Sequence, residues 1–318
     1  MKAISKKYVH SQMILFVFTL IVIVWGAWVR ISHSGDGCGE SWPLCAGEFI
    51  PSSAAKKTWI EYAHRLMSGS YGLWVIFLFF YTRSKIQSHR LKQWTGILFI
   101  LMIIEALLGA KLVLFKLVGT NDSILRLVAM ALHQINSLLL TGATFFIYLT
   151  SKHLSEIHDP RPSQSSNILR SVWNQTSATL KMLAFGLLLV AMVGSWASLS
   201  NTLHPSDGLW EGLLKDFSDS SHYLVKLRFI HPLLASLFCF AAVTWKMNRY
   251  MENGKKQDLF FAGAFAGAFL FGWMTLIFLA PVWMKLVHLV FAHLLWALII
   301  SSIFDLSLQD ELKTQSDH

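Results

Sequence analysis

Charged residues are scarce in this sequence, and their scarcity excludes most classes of soluble protein. Only 14% of the 318 residues are Asp, Glu, Lys or Arg, whereas 54% are apolar or aromatic. An ordinary soluble domain is about 25% charged, so this chain has too few charges to cover a surface that faces water. The three cysteines are too few for a secreted disulfide scaffold, and the high apolar content excludes a disordered chain.

Two sequence patterns are also missing. The net charge is +9, but no basic stripe interleaved with aromatic residues is present, so we expect no nucleic-acid partner. There is no DxxxD-type acidic cluster that would bind a metal and a prenyl diphosphate. The absence of this cluster argues against a prenyltransferase.

The apolar residues form long continuous blocks. A membrane-spanning helix needs about 20 such residues, whereas a strand of an outer-membrane barrel has roughly ten alternating ones. The pattern therefore predicts an all-α polytopic membrane protein with eight transmembrane helices in contact with lipid. The predicted spans cover residues 13–29, 62–81, 94–115, 124–150, 180–199, 223–245, 259–279 and 282–304.

The basic residues predict the orientation, because Lys and Arg accumulate in cytoplasmic loops. The first block lacks a signal-peptide cleavage site, so we expect it to be retained as a helix. Both ends of the chain are then predicted to be cytoplasmic. The bases that indicate this topology are Lys2, Lys6, Lys7, Arg83, Lys85, Arg90, Lys92, Lys152, Arg161, Arg170, Lys246, Arg249, Lys255 and Lys256.

A polar segment, 151–178, divides the apolar blocks into two sets of four. We expect two pseudo-symmetric four-helix bundles, in 1–150 and 179–306, joined by a cytoplasmic linker and followed by a tail over 307–318. A weak internal repeat supports this division. Its matching positions are Gly26 with Gly194, His64 with His231, and His133 with His288.

Five histidines lie within the predicted spans: His64, His133, His231, His288 and His293. An ionisable side chain inside a bilayer is costly and is a functional candidate by default. The first four form two pairs at similar depth, which suits imidazole ligation of heme iron; a proton relay or simple interhelical hydrogen bonding is the alternative. His293 lies about 140° around the helix from His288, so only one of them can bind a given iron, and His293 is the second choice.

Glu61 precedes His64 by three residues, so both share one face of a helix. A carboxylate at this place is suited to orient the imidazole, act as a base or stabilise positive charge. A plain ion pair with Arg65 is an equally good interpretation.

Glu105 is a second costly carboxylate, because it lies in the middle of the third predicted span. A structural ion pair is the simpler interpretation of such a group. We expect its partner to be Lys111 or Arg126.

Cys38 and Cys45 lie in the first outer loop with six residues between them. Two thiols at this spacing do not make a structural zinc site, and a disulfide is chemically permitted on the non-cytoplasmic side. We expect a disulfide, either structural or redox-active. Cys239 lies within a span and is expected to be a buried apolar side chain.

A series of motifs in this chain strongly resembles the heme A synthase family. A single ExxH motif would be weak evidence, but a cysteine loop followed by ExxHR is a specific combination, and the resemblance covers essentially the whole chain. The motifs are Gly26-Ala-Trp-Val-Arg30, Ser34-Gly-Asp-Gly-Cys38, Ser41-Trp-Pro-Leu-Cys45, Glu61-Tyr-Ala-His-Arg65 and Ala131-Leu-His-Gln134.

The resemblance implies an enzyme of the bacterial plasma membrane that oxidises a methyl group of heme O to the formyl group of heme A. The family is thought to use successive water-derived hydroxylations and serves terminal oxidase biogenesis. It implies a heme b cofactor on His231 and His288, substrate heme with axial His64 and His133, and a catalytic Glu61 beside them. A heme O synthase and an electron acceptor are the implied partners.

The sequence departs from the family pattern at three places. His33 stands where the family has a glycine, the outer loop 200–222 has no cysteine pair, and proline follows His231 where arginine is common. None of these changes affects the four paired histidines. Two other functions stay open: a membrane b-type cytochrome that only carries electrons, and a heme-handling transporter.

Overall fold

The structure, a computed structural model, describes residues 4–156, 172–174 and 176–316, with side chains described as far as Ser307. The described part of the chain is all-α, and its only β-type pairing is an isolated bridge between Cys45 and Glu48. Its helices are α1 Lys6–Ile31, α2 Lys56–Lys85, α3 His89–Leu114, α4 Ile124–Glu156, α5 Ala178–Leu203, α6 Leu209–Asp216, α7 Tyr223–Leu227, α8 Ile230–Asn253, α9 Lys256–Ile277 and α10 Val282–Ser316.

Seven segments of the described chain are long and apolar enough to cross a membrane. They are Lys6–Ile31, His89–Leu114, Ile124–Glu156, Ala178–Leu203, Tyr223–Asn253, Lys256–Ile277 and Val282–Ser307. Large apolar side chains on their outer faces, such as Met182 and Phe240, are about three-quarters exposed in the isolated chain, as expected of residues that face lipid. The chain is therefore a multi-pass membrane protein. The expected eighth span, in α2, is not among the seven.

Several helices extend beyond the apolar blocks that predicted them. Ser5, Ser88 and Ser177 cap α1, α3 and α5, because each hydroxyl accepts a hydrogen bond from a backbone N–H in the first turn. Gly254 ends α8 in the left-handed conformation, at φ 65°, which glycine adopts without steric cost. Apolar content marks the part of a helix inside the membrane, whereas the capping residues set the true ends.

The two largest of four buried clusters form most of the core of the described residues. One joins α1, α2, α3 and α4, and its members include Leu15, Val75, Leu98 and Ile147. The other joins α5, α8, α9 and α10, together with Leu138 of α4; its members include Leu187, Phe265, Ile299 and Cys239. Cys239 is buried and free, as predicted. Because α4 also packs against α5 and α10, it connects the two clusters.

The predicted linker, 151–178, and the predicted tail, 307–318, both overlap with helices. Helix α4 continues to Glu156 and α5 begins at Ala178, while 157–171 and 175, within the predicted linker, lie outside the described residues. The backbone of α10 stays helical to Ser316, well into the predicted tail. One polar contact that joins the two core regions is donated by Arg30 of α1, whose Nη2 lies 2.8 Å from Oγ of Ser198 on α5.

Candidate functional site

His231 and His288 face each other across the second core region. Their ring centroids are 6.1 Å apart and their planes are inclined by 75°. Two imidazoles on opposite sides of one metal have ring centres roughly 6 Å apart, since each metal–nitrogen bond is about 2.0–2.1 Å and the ring centre lies beyond the nitrogen. The observed separation fits a shared metal between the rings.

Each of these two rings lies against a glycine of a neighbouring helix. A β-carbon placed on Gly194 of α5 would lie 3.0 Å from Cε1 of His231, and one on Gly272 of α9 would lie 3.0 Å from Cε1 of His288. Contacts of this length are tighter than most β-carbon contacts, so each ring would have to shift by a few tenths of an ångström. Glycine at both positions lets the rings occupy their places without such a shift.

The other two paired histidines show the same arrangement in the first core region. A β-carbon on Gly26 of α1 would lie 2.9 Å from Cε1 of His64, which is carried by α2. The contact between Gly109 of α3 and His133 of α4 is looser, with 3.9 Å to Cε1. His133 lies within electrostatic range of His64, so the structure brings these two predicted site residues into one region.

The buried ring nitrogens fit an axial-ligand role. Nδ1 of His64, His133 and His288 is buried without a hydrogen-bond partner among the described residues, whereas Nδ1 of His231 lies 3.2 Å from the carbonyl oxygen of Val190. Buried polar atoms without partners are rare and call for an explanation. Imidazoles in a helical membrane core, each held against bare backbone, form a donor set that suits heme iron.

His293 lies in a different environment from His288. It is only 1% exposed, and its Nδ1 forms a 2.8 Å hydrogen bond with Oγ1 of Thr141 on α4. His293 therefore joins α10 to α4 through this hydrogen bond. It brings His288, and not His293, to His231.

The expected partners of Glu105 were wrong. Instead of Lys111 or Arg126, Glu105 binds Asn136, whose Nδ2 donates to Oε2 at 2.7 Å, and the same oxygen lies 3.5 Å from Nδ1 of His133. Arg126 instead binds the loop before α4, because its Nη1 donates to the carbonyl oxygen of Gly119 at 2.9 Å. Asn136 follows His133 by three residues and shares its helix face, so the sequence spacing did contain this signal.

Glu61 binds the first outer loop. It is 3% exposed; Oε2 accepts a 2.8 Å hydrogen bond from the backbone N–H of Cys38, and Oε1 pairs with Nη2 of Arg65 at 2.6 Å. Both oxygens therefore have partners other than His64. The ion pair with Arg65, which was one of the two interpretations of Glu61, is present.

The predicted disulfide between Cys38 and Cys45 is confirmed, and both cysteines are buried. Nη1 of Arg65 donates to the carbonyl of Ser41 at 2.7 Å, within the disulfide loop. Thr58 of α2 donates to the carbonyl of Gly37 at 2.8 Å. The loop is thus attached to the start of α2 by several independent polar contacts.

The outer loop of the second half is held differently. Arg228 pairs with Asp216 through Nε and donates from Nη2 to the carbonyl of Gly212 at 2.7 Å. Both charged side chains are about nine-tenths buried. A buried ion pair with further hydrogen bonds fixes this loop, in place of a disulfide.

A cluster of Asp122, His204 and His222 also lies between the outer loops, with its ligand atoms within 4.8 Å of one another. Nδ1 of His222 accepts a hydrogen bond from the N–H of Leu224, and its Nε2 lies 3.3 Å from a carboxylate oxygen of Asp122. The amide contact places the ring proton on Nε2, facing Asp122. This arrangement is satisfied as a histidine–aspartate pair.

The fold defines a multi-pass helical membrane protein, and its core contains the two pairs of predicted histidines. The sequence matches the COX15-CtaA family, described as cytochrome oxidase assembly protein, over residues 11–300. The match covers most of the chain. The chain therefore belongs to this family.

Curated relatives of two kinds, named Protoheme IX farnesyltransferase and Heme A synthase, are similar to this chain. The first kind matches most of the chain and the second about a third of it. A Protoheme IX farnesyltransferase of Thermus thermophilus is 31% identical over 291 residues, which cover 90% of this chain and 46% of the relative. The Heme A synthase of Halalkalibacterium halodurans is 44% identical over 109 residues, or 34% of this chain and 36% of the relative. That of Exiguobacterium sp. is 39% identical over 110 residues, or 34% and 35%. The chain thus spans less than half the length of each of these relatives.

Proposed function

We propose that this protein is a heme A synthase, a membrane enzyme that oxidises a methyl group of heme O to the formyl group of heme A. One observation carries the proposal. A member of the COX15-CtaA family holds two histidine pairs, each ring set against a glycine or close to one on a neighbouring helix. Two heme sites provide a place for a resident cofactor and a separate place for a heme substrate.

We assign the resident heme b to His231 and His288. The 6.1 Å between their ring centroids supports this assignment, and Phe271 stacks beside His288 with 6.5 Å between ring centroids. His293 is not assigned this role, because the structure brings the ring of His288 to His231, whereas His293 lies at the contact with Thr141 of α4. The bound heme would supply one-electron redox chemistry at this place, while the two histidines hold and orient it.

We assign substrate heme O to His64 and His133. This pair has polar neighbours, Glu105 and Asn136, and lies near the half-buried Arg30 of α1. Glu61 and His64 lie three residues apart on α2, beneath the disulfide loop. We propose that Glu61 is the catalytic carboxylate, which stabilises positive charge or takes a proton from water during oxidation.

The contacts of Glu61 leave one position open for this role. Oε1 accepts from Arg65 and Oε2 from the Cys38 amide, so the second lone pair of Oε2 is the place where the carboxylate can accept a proton. Glu61→Gln keeps the size of the side chain and removes its charge. Full retained activity in this variant would remove the proposed role, whereas loss of activity with an intact Cys38–Cys45 disulfide would support it.

We further propose eight membrane crossings arranged as two four-helix halves, 1–150 and 179–306. Helix α2, with 30 residues and a length of about 45 Å, is long enough to cross. Its Leu73, Phe77 and Phe80 are each more than 60% exposed, as lipid-facing side chains are. Its low apolar content arises from its first turns, which carry Glu61, His64 and Arg65 because the site is there.

The proposed setting is the plasma membrane of a bacterium, with both ends of the chain in the cytoplasm and the disulfide loop outside. Oxidation of a methyl group releases electrons, so the enzyme needs an electron acceptor. We propose a heme O synthase as the source of substrate. The Thermus thermophilus relative is named for farnesyl transfer to protoheme, and its similarity to this chain occupies 46% of its length, which is consistent with coupled steps.

The test is the profile of extracted hemes from cells that express the protein together with a heme O synthase. Heme A should accumulate with the wild-type chain, and His64→Ala should leave heme O in its place. His231→Ala and His288→Ala should deplete heme b in the purified protein. A purified protein that binds heme but forms no formyl heme would instead be an electron-carrying cytochrome, and the proposal would be wrong.

A further inference from the structure

We propose that Glu105 and Asn136 are positioning residues for His133, which fix the orientation of its ring so that Nε2 is presented to the substrate iron. This inference rests on the proposed function, because it takes His133 as an axial ligand. It adds a side-chain support, a carboxylate held by an amide, whereas in the other pair Nδ1 of His231 lies near the backbone carbonyl of Val190. The residues involved lie on α3 and α4, away from Glu61 and the disulfide loop.

The geometry begins with Asn136. Its Nδ2 donates to the carbonyl of Leu101 at 2.9 Å and to Oε2 of Glu105 at 2.7 Å. The side chain is 5% exposed, so both donor hydrogens are engaged within the protein. Asn136 thus holds the carboxyl group of Glu105 against α4.

The held carboxyl group faces His133. Oε2 of Glu105 lies 3.5 Å from Nδ1 of His133, slightly longer than an ordinary hydrogen bond. That Nδ1 is buried and has no hydrogen-bond partner among the described residues. Gly109 leaves 3.9 Å of space beside Cε1, so a small rotation can bring the ring nitrogen to the carboxyl oxygen.

The protonation of a metal-binding imidazole explains why this contact matters. A neutral histidine that binds a metal through Nε2 carries its proton on Nδ1, and that proton needs an acceptor. Oε2 of Glu105 is such an acceptor at the right place. Acceptors of this kind fix the ring orientation and strengthen the ligand nitrogen, and their removal commonly costs 10–100-fold in metal affinity.

The second half has no comparable group at the corresponding positions. Glu105 lies four residues before Gly109, and the residue four before Gly272 is Ala268. Asn136 lies three residues after His133, and the residue three after His288 is Phe291. An apolar pair therefore stands where the first half has a carboxylate and an amide.

The experiment is a titration of the purified full-length protein, with its resident heme bound, by ferric protoheme as the probe. Binding of a second equivalent is followed by absorbance, and its ligation by electron paramagnetic resonance. Glu105→Leu should raise the dissociation constant of that second equivalent at least tenfold and convert part of its low-spin signal to high-spin. Glu105→Gln, which keeps an acceptor oxygen, should stay within about threefold of wild type.

Two further variants test alternative explanations. Asn136→Leu should act in the same direction as Glu105→Leu, but less strongly, because it only loosens the carboxyl group. Thr95→Val removes another buried polar group of α3, one that bonds its own helix at Leu91, and it should leave the second equivalent unchanged. An effect of Thr95→Val equal to that of Glu105→Leu would mean a general disturbance of α3 and would overturn the inference.

Failure of the inference can be distinguished from failure of the proposed function. If His133→Ala abolishes binding of the second equivalent while Glu105→Leu binds it as wild type does, only the positioning role is wrong. A Glu105→Gln variant as damaged as Glu105→Leu also contradicts the role, since an acceptor oxygen would then not suffice. If His133→Ala binds the second equivalent normally, both the ligand assignment and the inference fail.

Discussion

The two histidine pairs lie on similar scaffolds but have different neighbours. Around His133 the neighbours are polar, with Glu105 and Asn136 in contact. Around His288 they are aromatic, with Phe271 beside the ring. An apolar environment suits a permanently bound cofactor, because it excludes water and keeps the site unchanged. A site that must bind a substrate and release a more polar product benefits from polar groups that tolerate both.

The outer loops differ in the same way. The first is closed by the Cys38–Cys45 disulfide and fixed to α2 through Glu61 and Arg65. The second has no cysteine and depends on the buried Asp216–Arg228 pair. The covalent closure and the contacts of Glu61 and Arg65 hold the first loop together. The second loop can depend on charges because the proposed mechanism uses none of its side chains.

The largest effect that would sharpen this comparison concerns the resident heme. His231→Ala and His288→Ala should each lower the affinity for heme b at least about tenfold, because each removes a proposed iron ligand and loss of even a ligand's hydrogen-bond partner commonly costs 10–100-fold. The pyridine hemochrome spectrum of the purified protein measures this loss. His293→Ala is the matched control on α10 and should keep the heme; loss of heme in His293→Ala alone would show that His288 is not the ligand.

The next effect concerns the second outer loop. Asp216→Ala leaves the guanidinium of Arg228 buried without its carboxylate, which should lower the free energy of unfolding by about 3–5 kcal/mol. Thermal unfolding in detergent is the measurement. Glu211→Ala removes an exposed helical pair with Lys215 from the same loop and should cost below about 0.5 kcal/mol. Equal effects of the two variants would contradict the structural role of the buried pair.

A smaller loss of stability is expected when the disulfide of the first outer loop is removed. The double variant Cys38→Ser, Cys45→Ser frees a short loop, and the chain-entropy relation gives a loss of about 2–3 kcal/mol. Reduction of the wild-type protein by dithiothreitol should lower its unfolding temperature to that of the double variant. The reductant should not change the variant itself. A double variant as stable as wild type would mean that Glu61 and Arg65 hold the loop without help.

The smallest expected effect is the difference between alanine substitutions at glycines that touch a histidine ring and at glycines that do not. Gly109→Ala has 3.9 Å of free space to the ring of His133, so it should stabilise α3 by about 0.5–1 kcal/mol through helix propensity. Gly26→Ala, Gly194→Ala and Gly272→Ala should instead displace their histidines and weaken heme binding. Gly263→Ala in α9, where nothing lies within 4 Å, controls for helix propensity. Equal tolerance at all five positions would contradict the glycine contacts.

The sequence predicted most of the fold because apolar blocks are long and unambiguous. The all-helical class, the positions of seven spans and the Cys38–Cys45 bond agree with the structure. Helix α2 was harder to place, since its first turns combine an apolar helix with charged site residues. Its status as a crossing stays a proposal.

The side-chain partners were less predictable than the helices. Glu105 was recognised as a costly carboxylate, but its partner is on α4 and not among the bases that looked nearest in sequence. The contacts of Gly26, Gly194 and Gly272 with histidine rings depend on how two helices approach each other. One-dimensional spacing describes a single helix face, and it does not give the distance between two helices.

The close approach of Gly194 to His231 has a mechanical consequence. A one-residue change of register in α5 would place Val193 or Ser195 opposite the ring, where a β-carbon would lie about 3.0 Å from Cε1. The imidazole of His231 therefore disfavours any other register of α5 against α8. An insertion or deletion of a single residue on either side of this contact should be far less tolerated than the same change near the end of either helix.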